Sequence, residues 1–393
     1  MILTIVIDPS LSLPLARALF FLCAGLLLYT YLLYPLVLAL MALLNKNRPR
    51  SAEYEPTVSL LICAYNEEAG IAEKLRNTLL LDYPKDKLEI VVISDGSCDR
   101  TEEIVQTFSA QGVRLLRTSR RLGKTNAQNE AIACCTGEIV VFSDATTTYD
   151  RSALRILAAA YHDPRVGAVS GRYQYLDPDG SSPTGVGSSA FWNYENQIKY
   201  LQSRILTLTG CCGCIYSVRR HLYTALPADI ISDLVQPLQI IKQGYAVVFE
   251  DRALAFEVPT ETSQQELTMR IRVITRGMRG ILSVRSLLNP LRHPWIAFQL
   301  ISHKVMRWFV PFYLIGLFVS SVLLAGQPAF AILLAAQLLL YLVALLSLAA
   351  PLHRLWKPLG IPLYFCTLNF AALISLFELL RGRNYVVWET VRS

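Results

Sequence analysis

Charge is scarce in this chain. Only 17% of its 393 residues are Asp, Glu, Lys or Arg, against about 25% in a typical soluble domain. That scarcity excludes a disordered chain, and the 53% hydrophobic content excludes a wholly soluble protein. Several motifs are missing as well. No Gly-x-Gly-x-x-Gly follows the first predicted strand, and no Walker-type phosphate loop occurs, which argues against a dinucleotide enzyme or a P-loop ATPase. The one tight cysteine cluster, Cys211-Cys212-Gly213-Cys214, is not followed by a second Cys/His pair at zinc spacing. It reads as small buried thiols in a packed strand. No internal repeat and no nucleic-acid module is evident.

What is present is uneven. Residues 15–44 form an apolar run whose only charge is Arg17, and further runs cover 308–324, 330–350 and 360–380. About 20 apolar residues suffice to span a bilayer. The first run lacks the short core and small-residue cleavage site of a signal peptide, and is expected to be a retained anchor. Net charge is +3 over residues 1–50, −5 over 51–260, +6 over 261–310 and +3 over 311–393. The basic excess therefore flanks the apolar runs, as the positive-inside rule and anionic headgroups select, and is not a nucleic-acid signature. The soluble middle is placed on the cytoplasmic side of a multi-pass membrane protein. One conflict follows. A full fourth span would carry Arg381 and Arg383 to the outside, against the rule, so residues 360–380 either lie in the interface plane or break it.

The expected organisation is an anchor at 1–50, a cytoplasmic domain at 51–262, basic amphipathic interfacial helices at 263–305, and a transmembrane region with a short basic tail at 306–393. In the middle domain, apolar runs at 58–63, 90–93, 113–116 and 139–142 alternate with helical patterns. This predicts an α/β fold with a mostly parallel sheet covered on both faces. Ligands of such sheets sit at the carboxyl ends of the strands. Glu67, Asp95 and Asp144 each lie just past a predicted strand end, which points to one cleft, with Lys124 close by in sequence. Carboxylates grip hydroxyls, base N–H groups and divalent cations, and a lysine neutralises phosphate. The combination suits a sugar nucleotide.

The segments Val58-Ser59-Leu60-Leu61-Ile62-Cys63-Ala64-Tyr65-Asn66-Glu67-Glu68, Ser94-Asp95-Gly96-Ser97 and Phe142-Ser143-Asp144-Ala145-Thr146 occur in order, followed by Gly213-Cys214-Ile215-Tyr216-Ser217 and Ile231-Ser232-Asp233-Leu234. Together they resemble the motifs of family-2 glycosyltransferases with a GT-A fold, over residues 56–310. The anchoring on both sides is similar to that of hyaluronan, cellulose and chitin-oligosaccharide synthases. The resemblance implies a membrane-embedded inverting transfer from a nucleotide-sugar donor to a glycan or lipid-linked acceptor. It implies that Glu67 and Asp95 hold the nucleoside, with Asp95 on the base, and that Lys124 lies near the ribose or diphosphate. Asp144 and Thr146 would carry Mg2+ or Mn2+, and Asp233 would be the general base. An inverting transfer needs such a carboxylate for the acceptor proton and positive charge on the leaving diphosphate.

Three positions depart from the pattern. Thr146 stands where the family has a second Asp, so weaker metal affinity is expected. Ser232 replaces an acid beside the base. Arg276 and Arg279 match an Arg-x-x-Arg element that would reach the diphosphate, but position 280 is Gly where processive enzymes carry Trp. Arg272, Arg276 and Arg279 also share one helical face within 269–282, which suits an interfacial helix on membrane lipids. The tail Val387-Trp388-Glu389-Thr390-Val391-Arg392 resembles a gating segment with one inserted residue, and a Gly/Ser/Pro-rich stretch at 177–189 reads as a mobile lip near the acceptor entrance or as a plain surface loop. The few spans fit a short product, an oligomer or a synthase partner. The alternative is a non-catalytic subunit of a polysaccharide-synthesis complex. The donor sugar, acceptor and linkage are not encoded in motifs.

Overall fold

The structure is a computed structural model and describes residues 9–45, 53–176, 185–258, 262–350 and 352–387. Its amino-terminal apolar run is one helix with a fault in it. Helix α1 (Pro9–Leu28) passes through a π-turn at Tyr29–Leu33 into α2 (Tyr34–Leu44). Pro35 accounts for the fault, because it has no N–H to offer the carbonyl of Tyr31. That carbonyl instead accepts a 3.1 Å hydrogen bond from the hydroxyl of Tyr194 in the central domain. The span is thus docked where its own ladder breaks.

The central domain runs β1 (Val58–Ala64), α3 (Ile71–Leu79), β2 (Leu88–Ser94), α4 (Thr101–Gln106), β3 (Val113–Arg117), α5 (Lys124–Ile132) and β4 (Ile139–Asp144). It continues with β5 (Thr148–Tyr149), α6 (Ala153–Ala159), β6 (Val166–Tyr175), α7 (Gly185–Ile205), β7 (Ile215–Arg219), α8 (Ser232–Lys242), β8 (Ala246–Glu257) and α9 (Ser263–Ser283). All seven residues of β1 are buried, which a strand achieves only when both faces are covered. Alternate side chains take opposite faces. Leu60 and Ile62 join Leu75 of α3 and Leu154 of α6, whereas Leu61 and Cys63 join Ala127 of α5 and Ile240 of α8.

The eight strands lie in the order β3-β2-β1-β4-β7-β6-β8-β5. The sheet is mixed: β7 is antiparallel to β4 and β6, and β5 to β8, while the remaining pairings are parallel. The parallel half is the half legible in the apolar runs. Its register brings Ala64 opposite Ser94 and Cys63 opposite Asp144, so β1, β2 and β4 end together.

Helices at Leu13–Leu44, Pro328–Ala349 and Lys357–Leu380 are long and apolar enough to cross a membrane, and Pro294–Trp308 with Val310–Leu323 makes a fourth such segment bent by 56°. These cover the four runs expected. The Gly360–Leu380 helix packs along the domain. Arg270 of α9 donates to the Tyr364 hydroxyl at 2.6 Å, and Ser375 donates to the carbonyl of Ile271 at 3.1 Å. A Cβ at Gly187 of α7 would stand 2.3 Å from Cβ of Tyr364, so this glycine permits the close approach. Residues 185–189, expected to belong to a loop, therefore open α7 because a helix packs on them, while 177–184 lie outside the described residues. The predicted basic helix at 269–282 lies within α9, which begins with a Thr262/Gln265 capping box.

Candidate active site

Strand register gathers the three carboxylates at one edge, but they serve differently there. The loop carrying Glu67 is stitched to the one after β2: the Glu67 N–H donates to the Thr101 hydroxyl at 2.7 Å, and the Cys98 N–H to Oδ1 of Asn66 at 2.8 Å. Asn66 itself adopts a left-handed conformation (φ 52°), which the Asx side chain tolerates. Asp95 is fully buried. Its Oδ1 accepts the Leu122 N–H and its Oδ2 the Gly123 N–H, both at 2.8 Å. Its carboxylate therefore fixes the turn that launches α5, with Gly123 at φ 88° presenting Lys124.

Lys124 forms an ion pair with Asp144, and its Nζ lies 3.5 Å from the carbonyl oxygen of Gly213. Burial opposes the charged ammonium, but the adjacent Asp144 outweighs it and holds the lysine above its usual range. On the other side of Gly213 stands Asp233, in the first turn of α8: a Cβ at Gly213 would lie 2.6 Å from its Oδ2. Oδ1 of Asp233 is shielded from solvent and has no hydrogen-bond partner. Burial pushes this carboxyl above the ordinary aspartate value, with Lys124 pulling the other way. Cys211, Cys212 and Cys214 are buried in the wall beneath, where the Cys211 N–H donates to the Asp233 carbonyl at 2.8 Å.

Thr146 is tied to a carboxylate from a distant strand. Its hydroxyl donates at 2.7 Å to Oε1 of Glu257, whose Oε2 accepts the Tyr173 hydroxyl at the same distance. The β5–β8 pairing, with Thr148 opposite Phe256, produces this meeting. Sequence reading missed Glu257, since no local spacing connects it to residue 146. Lys74 was also missed, yet it was legible: it shares the apolar stripe of α3 with Ile71, Leu75 and Thr78. Its buried ammonium donates to the Ser143 hydroxyl at 2.6 Å and the Thr147 carbonyl at 2.7 Å, and burial lowers its pKa to about 7.

The two arginines expected at the diphosphate are engaged with protein. Arg276 donates to the Thr125 hydroxyl at 2.9 Å and to the carbonyls of Ala228 and Ile230 at 3.0 and 2.7 Å, clipping α9 to the start of α5. Arg279 lies 3.5 Å from Asp229 and donates to the Arg383 carbonyl at 2.9 Å. The chain after the last helix thus returns to the domain, and the Val386 carbonyl oxygen lies within 2.2 Å of where a Gly123 Cβ would be. Residues 388–393, most of the predicted gating tail, lie outside the described residues.

Residues 59–226 match the model of Glycosyl transferase family 2. The chain carries a family-2 glycosyltransferase domain. The match includes Glu67, Asp95, Lys124, Asp144 and Thr146 and stops short of Asp233, Arg276 and Arg279. The chain is 27% identical over 258 residues to the Bacillus subtilis protein named Probable glycosyltransferase YdaM, covering 62% of this chain and 61% of that one. It is 25% identical over 266 residues to an N-acetylglucosaminyltransferase of Rhizobium meliloti, with 64% and 62% covered. Over 249 residues it is 26% identical to a poly-beta-1,6-N-acetyl-D-glucosamine synthase of Staphylococcus aureus, with 61% and 59% covered. The chain thus spans about 60% of the length of the curated relatives it matches. A mannosyltransferase from Pyrobaculum calidifontis, solved with GDP-Man and Mn2+, superposes with a TM-score of 0.73 at 23% identity, covering 95% of this chain and all of that one. The family-2 domain has the GT-A fold.

Proposed function

We propose that this chain is a membrane-embedded inverting glycosyltransferase, moving a sugar from a nucleotide donor to a glycan or lipid-linked acceptor at the cytoplasmic face. One observation carries the reading: Gly213 separates a lysine–aspartate pair from a shielded, unpartnered carboxylate. A transferase needs those two charges on opposite sides of the anomeric carbon. Asp233 takes the acceptor hydroxyl proton as that oxygen bonds to the anomeric carbon, and the bond to the diphosphate breaks on the opposite face. Lys124 faces the leaving charge. Glu67 lies at the nucleoside end, while Asp95 and Arg276 act through the loop and helix they fix.

A divalent cation, when bound, would supply Lewis-acid charge on the diphosphate. Among the described residues no cluster of three ligating side chains exists. The oxygens of Asp144 and Thr146, with Glu257 behind, nevertheless suit a hard ion that keeps waters and binds substrate phosphate. Those residues would hold Mg2+ or Mn2+.

The membrane reading has three crossings, by 13–44, by the bent pair 294–323 and by 328–349. The Gly360–Leu380 helix lies against α9 at the interface and returns the basic tail to the cytoplasmic domain. Arg354, Lys357, Arg381 and Arg383 then all stay inside, which removes the conflict with the positive-inside rule.

The test is nucleotide release by membrane-reconstituted protein against UDP-, GDP- and dTDP-sugars, with and without Mn2+. Release from one donor is expected. Binding without release from any donor, with a range of acceptors supplied, would favour the non-catalytic subunit.

A further inference from the structure

A cavity of about 210 Å3 is lined in part by Asp233. One wall comes from helices apolar enough for the bilayer: Tyr31 of the first, Trp308 of the bent pair, and Leu368 and Ala372 of the last. The other wall belongs to the glycosyltransferase domain and brings charge. Arg270 is spoken for, held at 2.7 Å by the buried Glu266 and bonded to Tyr364. Arg307 is paired with Glu195. His303 and Lys304 also approach Glu195, at 3.1 and 3.6 Å. One buried carboxylate is thus shared by three basic side chains.

Lys199 is left over. It is 4% exposed, lines the same cavity, and has no hydrogen bond or ion pair; its ammonium lies 5.3 Å from the Trp192 ring. Arg307, Lys304 and Lys199 thus face two lining carboxylates, Glu195 and Asp233, and Lys199 has no direct ion pair with either. Burying ammonium groups in this way is costly unless an anion completes the site. A neutral glycan offers only hydroxyls and would leave that cost standing. A phosphate supplies two charges and several acceptor oxygens.

We propose that the acceptor is a phosphate-bearing lipid, with its phosphate seated between Lys199 and Lys304, its apolar chain against the membrane helices and its reactive hydroxyl at Asp233. This rests on the glycosyltransferase reading and narrows it. The transfer is unchanged: the hydroxyl oxygen bonds to the anomeric carbon, its proton goes to Asp233, and the nucleoside diphosphate leaves with the electron pair of the broken bond. The lipid phosphate takes no part in bond exchange.

The test uses purified full-length protein in neutral detergent and compares binding of decyl phosphate, decanol, decyl glucoside and inorganic phosphate by calorimetry. Decyl phosphate is expected to bind at least tenfold more tightly than the other three. Lys199→Gln and Lys304→Gln should each weaken it at least tenfold while leaving nucleotide binding unchanged, and Lys199→Arg should retain it. Equal binding of decanol or decyl glucoside would overturn the phosphate requirement. Equal binding of inorganic phosphate would overturn the lipid. The wild-type ranking alone decides between these outcomes if a variant does not fold. Donor turnover is measured on the same sample: selectivity without turnover against any donor refutes the transferase reading and leaves the anionic lipid site, whereas turnover without selectivity refutes the site.

Discussion

The hydroxyl of Thr146 donates a 2.7 Å hydrogen bond to Glu257, a residue more than a hundred positions away. The carboxylate absent from position 146 is therefore present one side chain further out. Glu257→Gln is expected to weaken Mn2+ binding, read by electron paramagnetic resonance independently of turnover, by about tenfold, the scale of losing an outer-shell partner. Thr146→Asp should tighten it. Unchanged Mn2+ affinity in both variants would show that the ion is held elsewhere.

Gly213 admits Asp233 because it has no side chain. Gly213→Ala places a methyl 2.6 Å from Oδ2 of Asp233, so the carboxylate or the loop must shift. A displacement of this size costs a catalytic group about 10²-fold. The expected result is a fall in kcat with nucleotide Kd preserved; full activity would mean that Asp233 is not positioned through Gly213.

Asp233 also predicts a pH effect on stability. Burial raises its folded-state pKa, so between the ordinary aspartate value and that raised value the folded protein binds more protons than the unfolded one. Its contribution to stability falls as pH rises through this window. Asp233→Asn should accordingly raise the thermal midpoint at pH 7, with the gain shrinking toward pH 4. A lower midpoint at pH 7 would show that the ionised carboxylate is well paired.

Tyr194→Phe leaves the Tyr31 carbonyl, freed by Pro35, without its donor. A fully buried carbonyl left unsatisfied costs about 1–3 kcal/mol, and this part-buried one less. A lower unfolding midpoint in detergent with unchanged nucleotide binding is expected, and no change would mean that water substitutes there.

The parallel strands and the apolar spans were legible because their signals are local. Val58–Ala64 is apolar on both faces, and residues 328–349 need no partner to be recognised. That Glu67, Asp95 and Asp144 would lie along one sheet edge was legible by position, since strand ends in such a sheet converge. What escaped depends on chain segments meeting after folding. Glu257 reaches Thr146 only through β5–β8 pairing, and Glu195 meets His303 and Arg307 only when the bent helix packs on α7. Arg276 matched a motif, but its carbonyl partners at 228 and 230 carry no side-chain signature. The packing of residues 360–380 against α9 and α7 is likewise something hydropathy does not report.

The proposed mechanism turns on Asp233 as the base of an inverting transfer. The decisive measurement is turnover and nucleotide affinity of Asp233→Asn beside wild type in the same reconstituted membranes, with the active donor. A loss of about 10²–10⁴-fold in kcat is expected, the usual worth of a general base, with nucleotide Kd unchanged within a factor of about two. Turnover equal to wild type would contradict it and move the proton transfer to another residue.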